Sequence, residues 1–419
     1  MKGPFVVVFP LFFIAITLIS DLYTWQGIRT VSGFFLPDAA HRWLKIGYWS
    51  FTVIMLLGLF AGYLSIAGKE TYTLLFRVFV NAFFAYLAAK MFFGVFLLAE
   101  DLYRLVLASF RATGLFGGYH SFALPARHIA FSMSGFVVFV IIIGLFVHGI
   151  FYNRHNYKVH RVSLSIDNLP PAFDGFRMVQ ISDFHAGSFH GLREARKGFG
   201  IIKSLDADLL VFTGDMVNNR AAEMEKFVDD FRSIQPPLGK FSILGNHDYG
   251  DYIPWKYAGE EAVNRSRLIE LEQQAGFGVL INAHVPLVRN GDTIYLAGVE
   301  NWGNNFVRKG DLRKALEGIP VGETIILLSH DPSHWDKEVK SYHTPVALTL
   351  SGHTHGFQFG FETPWFKWSP VALMYREWSG LSEENGLYRY INRGFGFIGL
   401  EGRVGIRPEI TLIELKRKN

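Results

Sequence analysis

Phe241-Ser242-Ile243-Leu244-Gly245-Asn246-His247-Asp248 reads as a short buried strand running into a turn that carries three reactive side chains. Asn246 offers an oxygen to a metal. His247 is of a type that can give or take a proton near neutral pH. Asp248 is of a type that fixes the tautomer of a histidine. Taken alone the stretch is a turn, because Gly, Asn and Asp are common turn residues. Four further apolar runs end in the same manner. Met178–Ser182 leads to Asp183-Phe184-His185, and Leu209–Thr213 leads to Gly214-Asp215. Thr324–Ser329 leads to His330-Asp331, and Val346–Ser351 leads to Gly352-His353-Thr354-His355.

One such ending is ordinary. Five in sequence, all Asp, Asn or His, are not accounted for by turn chemistry. Ligands of open α/β sheets bind beyond the carboxyl ends of the strands, so these residues are expected to converge on one edge of a core. Asp183, His185, Asp215, Asn246, His330, His353 and His355 supply seven oxygen or nitrogen donors, enough for two divalent ions. The Asp-x-His and His-x-His spacings place two donors on one short loop at low entropic cost. The chain has no cysteine, which removes disulfides, thiolate sites and cysteine nucleophiles. A sulfur-free set points to manganese, iron or zinc rather than to soft-metal chemistry, and manganese is the ion expected.

From about Val159 to the C-terminus the chain resembles the calcineurin-like metallophosphoesterases. The ordered pattern Asp-x-His, Gly-Asp, Gly-Asn-His-Asp, His, Gly-His-x-His is present in full. The resemblance implies a two-sheet β-sandwich flanked by helices, and it implies roles. Asp183, His185, Asp215 and His355 would hold one ion. Asp215, Asn246, His330 and His353 would hold the other, with Asp215 bridging. His247 would stand beside the ions without binding either, oriented by Asp248. Two ions about 3.5–4 Å apart clamp an in-line phosphoryl displacement and activate a water. A histidine beside them stabilises developing charge or protonates the leaving oxygen. The alternative is a non-catalytic membrane scaffold or sensor on this fold, which would be expected to have lost ligands or the histidine.

Other residues carry two readings each. Asn218 and Asn219 suit either a phosphate contact or a helix cap. Asp331 suits either a place behind the ligands or the cap of a helix from Pro332. His190, closest in sequence to the first motif, is the candidate substrate contact among His190, His284, His334 and His343; the others are expected in the core or on the surface. Gly356–Gly380 is dense in Phe, Trp and Met. It reads as a packed flap or as an apolar wall that accepts acyl chains or dips into a membrane interface. Phe357 stands where the family often has a second glycine.

Hydrophobic residues make up 50% of the 419 and aromatics 16%, an excess concentrated before residue 152. Mean hydropathy is +0.19 and the pI about 9.0. Apolar runs at Pro4–Ser20, Ile46–Ala67, Tyr72–Leu98 and Ala130–Tyr152 approach or exceed the roughly 20 residues that cross a hydrocarbon core. A signal peptide fits the first run less well, because no small-x-small site follows. The expected organisation is a four-helix transmembrane region over 1–152, a polar linker over 153–158 and a metallophosphoesterase domain over 159–419. Lys90 lies inside the third run and is expected to snorkel to an interface; the other reading turns it inward, towards a lipid phosphate or Asp101. Glu100–Arg127 is expected as a loop able to lie on the membrane surface. Four spans put both termini on one side. The basic residues of the two sides (Lys2, Lys69, Arg154, Lys158, Arg161 against Arg29, Arg42, Lys45, Arg104, Arg111, Arg127) are too evenly divided to choose it.

Within 159–419, further strand candidates are Val159–Ile166, Val279–Asn282, Thr293–Val299 and Ile410–Leu415. Helix candidates are Leu192–Leu205, Ala221–Ile234, Glu260–Gln274, Lys309–Glu317 and Pro332–Val339. The net charge of +4 weakly fits an anionic substrate or a membrane surface, and no nucleic-acid partner is expected. The membrane-bound bacterial branch of the family is similar in outline. It implies a multi-pass protein of the inner membrane acting on a lipid-linked or envelope phosphoester, such as the pyrophosphate of UDP-diacylglucosamine.

Overall fold

The computed structural model describes residues 5–66, 73–113, 122–304 and 306–418, with side chains from Phe12 onward except at Ile66. The chain divides into two units, Met1–His148 and Gly149–Asn419. The expected span ends at Pro4, Ala67 and Tyr72, the residues Lys2 and Lys69, and the 114–121 part of the expected loop lie outside the described residues.

The first unit is helical: α1 (Phe5–Phe35), α2 (Asp38–Ile66), α3 (Leu74–Ala112) and α4 (Ile129–Phe151), whose last turn belongs to the second unit. The helices α2, α3 and α4 are long and apolar enough to cross a membrane. Their outward faces carry Leu57, Phe60, Val95, Leu98 and Val140, all exposed, as a lipid-facing surface requires and a water-facing one does not tolerate.

Three expectations are corrected here. The first helix does not stop at Ser20 but runs on through Asp21 to Phe35. Lys90 does not snorkel; it is 2% exposed, and its Nζ lies 3.0 Å from Asp21 Oδ1 rather than near Asp101. The two facts are one, since the buried ammonium neutralises the carboxylate that would otherwise end the apolar run. The hydroxyls of Tyr48 and Tyr86 donate to Asp21 Oδ1 at 2.8 and 3.0 Å, and Thr52 donates to Oδ2 at 3.1 Å. Asp101 instead takes Arg104 and Arg127 at 2.7 and 2.8 Å. Third, Leu105–Phe110 is helix, not loop, because α3 meets no Gly or Pro between Val95 and Ala112.

The second unit is a sandwich of two six-stranded mixed sheets. In chain order its elements are β1 (Lys158–Ile166), β2 (Phe176–Ile181), α5 (Leu192–Ser204), β3 (Leu209–Phe212), α6 (Val228–Arg232), β4 (Lys240–Ser242), α7 (Glu260–Gln274), β5 (Gly278–Val279), β6 (Ala283–Arg289), β7 (Asp292–Gly298), α8 (Leu312–Leu316), β8 (Ile325–Leu328), α9 (Ser333–Lys337), β9 (Leu348–Ser351), β10 (Phe361–Glu362), β11 (Lys367–Trp368), β12 (Gly380–Glu384), β13 (Leu387–Ile391) and β14 (Glu409–Arg417). One sheet has the order β1-β14-β2-β3-β4-β5 and the other β12-β13-β9-β8-β7-β6, while β10 and β11 form a separate hairpin. The runs β2-β3-β4-β5 and β13-β9-β8-β7 are parallel.

Alternation of side chains builds the layers. Met178, Leu209 and Val211 of the first sheet face Leu296, Ile326, Leu328, Leu348 and Leu350 of the second. Their neighbours Val179, Ile181, Leu210 and Phe212 turn outward to pack beneath α5, α6 and α7. Both faces of the central strands are thus covered, which is why they read as unbroken apolar runs. The sequence reading misses β6, where Pro286 argues against a strand; β6 is an edge, where a missing N–H is tolerated. It also misses β12, which is polar at Ser382, Glu383 and Glu384, and β13, whose apolar run Arg389 interrupts. That arginine is buried and donates to Asp336 at 2.9 Å. The expected strand Val279–Asn282 ends after Val279, and Asn282 turns the chain at φ 50°. The expected helix Ala221–Ile234 breaks into 3₁₀ turns before α6.

Candidate metal centre

Five strand ends, three from one sheet and two from the other, deliver the motif residues to a common edge. Asp183 and His185 follow β2, Asp215 follows β3, and Asn246, His247 and Asp248 follow β4. His330 follows β8, and His353 and His355 follow β9. The chain must turn abruptly there to aim side chains back over the sheet edge. Asp183, His185, Asp215, His353 and His355 all take positive φ, between 49° and 71°. Each such residue costs roughly 1–2 kcal/mol, and strain of this kind collects at functional sites. Glycine serves where two loops meet: a Cβ on Gly245 would collide with Asp215 Oδ1, and one on Gly352 with Ser182 and Asp183.

Two clusters of donors result, Asp183–His185–His355 and Asp215–His330–His353. In the first, His185 Nε2 and His355 Nε2 lie 3.0 Å apart and His355 Nε2 lies 3.2 Å from Asp183 Oδ1. In the second, His330 Nε2 is 3.2 Å from Asp215 Oδ2 and 3.3 Å from His353 Nδ1. Asn246 Oδ1 joins this cluster, 2.8 Å from His353 Nδ1. Asp215 Oδ2 also lies 3.7 Å from His185 Nε2, so one carboxylate oxygen stands between the two groups. Ring nitrogens facing each other and carboxylate oxygens, without sulfur, form a set that suits two divalent cations. All seven residues expected as ligands are brought together.

The electrostatics follow from burial and these neighbours. Burial acts to raise the carboxyls of Asp183 and Asp215, yet adjacent histidines outweigh it and hold both well below the usual range. Burial acts to lower His330, but Asp215 carries it up to about 10. For His185 and His353 burial prevails and keeps the rings neutral.

His247 stands at the rim, its ring 5.0 Å from that of His185 and 4.5 Å from Tyr252. Its Nδ1 donates to Asn218 O at 2.8 Å, which leaves Nε2 to give or take a proton. This corrects the expected pairing with Asp248. The Asp248 carboxylate accepts instead from the backbone N–H of Asp215, Met216, Val217 and Gly245, at 2.8–3.1 Å. It fastens the β3 and β4 loops together. Asn218 therefore acts through its carbonyl, while its side chain bonds Ser188. Asp331 serves both of its expected purposes: Oδ1 accepts Ser333 N at 2.8 Å, and Oδ2 lies 3.6 Å from His353 Nε2. His190 is not brought in; it lies half-exposed, 3.3 Å from Glu401. His334 is buried and stacks on Trp302.

A cleft of about 240 Å³ opens over the two clusters. Asp215, Asn246, His247, His353 and His355 line its floor; Phe357, Val371, Met374, Tyr375 and Ile398 line one wall, with Tyr252 and Phe306 also at the cleft. Tyr252, Phe306 and Tyr375 carry no motif that marks them in the sequence. The same holds for Arg403, which is buried and donates to the carbonyls of His355, Arg393, Gly394 and Gly396.

Comparison with known proteins agrees with this architecture. A family model described as the transmembrane domain of a probable calcineurin-like phosphoesterase matches residues 5–154, and the calcineurin-like phosphoesterase model matches residues 176–357. A transmembrane protein with metallophosphoesterase domain from Danio rerio is 30% identical over 284 residues, covering 65% of this chain and 60% of that protein. The uncharacterized metallophosphoesterase YkuE of Bacillus subtilis is 32% identical over 265 residues, 62% of this chain and 85% of YkuE. The UDP-2,3-diacylglucosamine pyrophosphatase LpxG of Chlamydia trachomatis is 30% identical over 279 residues, 55% of this chain and 81% of LpxG. With the site assembled and both halves matched, the chain belongs to the calcineurin-like phosphoesterase family, metal-dependent hydrolases of phosphoesters, in a form that carries a transmembrane domain.

Proposed function

We propose that the protein hydrolyses a phosphodiester or pyrophosphate bond of a lipid-linked substrate at the membrane, with Asp183, His185, Asp215 and His355 holding one divalent ion and Asp215, Asn246, His330 and His353 the other. Manganese is the preferred ion, with iron and zinc next. The single observation that carries the reading is the convergence of two donor clusters on Asp215 beneath a cleft with a mostly apolar wall. When bound, such ions neutralise phosphate charge and lower the pKa of a coordinated water.

The chain's own residues do the rest. Asn218 O accepts the Nδ1–H of His247 and orients the ring, so that in its doubly protonated form Nε2 gives its proton to the leaving oxygen. Asp248 holds the β3 and β4 loops in register, which keeps Asp215 and His247 at a constant separation. His247 N donates to Asp215 Oδ1 at 2.8 Å and adds to that register. Phe357, Met374 and Ile398 give an apolar substituent a place to lie beside the phosphate. The pyrophosphatase named among the relatives acts on a lipid carrying a nucleotide through a pyrophosphate, a substrate of the proposed class. The proposed location is the cell membrane, as a multi-pass protein of a bacterial inner membrane.

Purified full-length protein with Mn²⁺ is expected to hydrolyse bis-(nitrophenyl) phosphate, and His247→Ala to lower kcat by about 10²–10⁴ without displacing the ions. Inactivity of the wild-type protein on phosphodiesters and pyrophosphates with Mn²⁺, Fe²⁺ and Zn²⁺ overturns the reading and returns the scaffold alternative.

A further inference from the structure

We propose that the flap over the cleft, Phe357 to Glu377, is a docking surface for the lipid bilayer, holding the cleft open towards a phosphoester whose apolar chains stay in the membrane. The choice of substrate rests on the function proposed above; the docking itself does not.

The flap leaves its largest apolar groups outside the core. Trp365 is 92% exposed and Leu373 88%, with Met374 at 65% and Phe366 at 59%. A water-facing surface rarely keeps such a cluster uncovered. The flap is nonetheless ordered. The strands β10 and β11 pair Phe361 with Trp368, and Thr363 closes the turn by accepting Phe366 N at 3.0 Å. Buried Arg393 ties the hairpin to the sandwich, donating both to Glu362 and to Glu409. Exposure here is therefore a held geometry and not the fraying of a loose loop.

The position of the flap's base identifies what covers it. Gly360 N donates to Val404 O at 2.9 Å, and Val404 N donates to Gln358 O at 2.7 Å. The adjacent Arg403 N donates to Gly149 O at 3.2 Å, and Arg403 O accepts Asn153 Nδ2 at 3.2 Å. Gly149 lies in the last turn of α4, an apolar helix of membrane-crossing length. Two consecutive residues thus hold the root of the flap on one side and the exit of a membrane helix on the other. The next residues of that exit, Phe151 and Tyr152, are themselves 79% and 63% exposed. An apolar surface whose root is hydrogen-bonded to the residues that leave a transmembrane helix is tethered to the bilayer, which raises the effective concentration of lipid at the flap.

The chemistry fits that occupant. Trp and Phe with Leu and Met suit the boundary between headgroups and acyl chains, where a ring keeps one edge wet. The segment's charges cancel, Glu362 and Glu377 against Lys367 and Arg376. Docking is then driven by apolar burial and is insensitive to salt and to anionic lipid. Because Phe357, Val371, Met374 and Tyr375 belong both to the flap and to the cleft wall, lipid reaching the flap is already beside the candidate metal centre.

The absence of cysteine gives a clean test. Trp365→Cys, Leu373→Cys and, as a remote exposed control, Val321→Cys are each labelled with an environment-sensitive fluorophore in the full chain, reconstituted singly in phosphatidylcholine nanodiscs. Brominated acyl chains are expected to quench the labels at 365 and 373 roughly twofold or more and to leave the label at 321 unchanged, equally in low and high salt. Equal solvent exposure at all three sites overturns docking, as does shielding that appears only when two copies share a disc. This readout needs no turnover, so a protein inactive on every phosphoester still reports on it. As a second arm, Trp365→Glu with Leu373→Glu is expected to leave hydrolysis of bis-(nitrophenyl) phosphate unchanged and to slow hydrolysis of UDP-diacylglucosamine in vesicles about tenfold. Equal loss on both substrates assigns the flap a merely structural part and overturns the proposal.

Discussion

Asp21 and Asp215 are both carboxylates with almost no exposure, one in each unit, and their surroundings are built on opposite plans. Asp21 is an acceptor ringed by donors: one ammonium and three hydroxyls reach its two oxygens. The cluster is closed, with charge and hydrogen-bonding capacity both used up. Asp215 takes one N–H on Oδ1, while Oδ2 faces imidazole nitrogens of His330 and His185. Around it stand another carboxylate, an amide oxygen and two more imidazoles. This cluster gathers electron pairs and leaves them aimed at a common space. Burial of charge therefore does not distinguish a structural site from a reactive one; the balance of donors and acceptors does.

The largest effect is expected at the open cluster. Asp215→Asn removes the charge that both groups share, and should lower turnover by at least about 10³ while bound manganese, read by elemental analysis, falls towards zero. Retention of two ions per chain would break the contrast, since Asp215 would then be no more open than Asp21. Next comes the closed cluster. Lys90→Met leaves Asp21 buried without its counter-charge, at a cost of about 3–5 kcal/mol to the helical unit. Thermal unfolding of the full chain in detergent should show it, and adding Asp21→Asn should recover most of the loss, because a neutral side chain still uses the hydroxyls. No recovery in the double variant would mean that the ion pair itself, and not its closure, matters.

What the sequence discloses differs between the two clusters for the same reason. The open site was legible because metal chemistry confines its residues to Asp, Asn and His at strand ends, and a buried parallel strand advertises itself as an apolar run. The closed site was not. Asp21 and Lys90 are 69 positions apart, and neither carries a local pattern that names its partner. The pairing of Asp248 was misread because a carboxylate next to a histidine in sequence need not be next to it in space: after Gly245 the chain turns, and the carboxylate points back into the β3 loop. Strand β12 escapes because it is mostly polar and β13 because Arg389 breaks its apolar run, and only the fold reveals Asp336 opposite that arginine. Tyr252 and Phe306 escaped because aromatic residues in loops carry no periodicity.

The second unit also contains a closed pair, which tests whether closure behaves alike outside the helices. Glu409 is buried and takes Arg393, Tyr390 and Thr411. Burial acts to raise its carboxyl, but Arg393 outweighs it and holds the group at about 2, against 4.5 for a free glutamate. A depressed carboxyl stabilises the folded state above the unfolded pKa, and that stability is lost as pH falls through the folded value. Between about pH 4.5 and 2 the domain should thus lose about 3 kcal/mol from this group. Glu409→Gln should flatten that part of the acid limb in a urea-unfolding series, and an unchanged limb would assign acid sensitivity elsewhere.

The smallest effect probes how the open cluster keeps its electron pairs correctly aimed. An asparagine presents an oxygen or an amide nitrogen depending on a rotation that packing alone hardly opposes, because the two ends are nearly the same size. Only the oxygen serves a cation. Here Asn246 Nδ2 donates to Tyr252 OH at 2.8 Å, which fixes Oδ1 towards His353. Tyr252→Phe keeps the ring against His247 and removes the acceptor that selects the rotamer. The manganese concentration for half-maximal activity should rise about tenfold, as for other groups that orient a ligand, with kcat at saturating metal unchanged. If kcat falls while the metal requirement stays constant, Tyr252 touches substrate instead, and the orientation of Asn246 is secured by His353 alone.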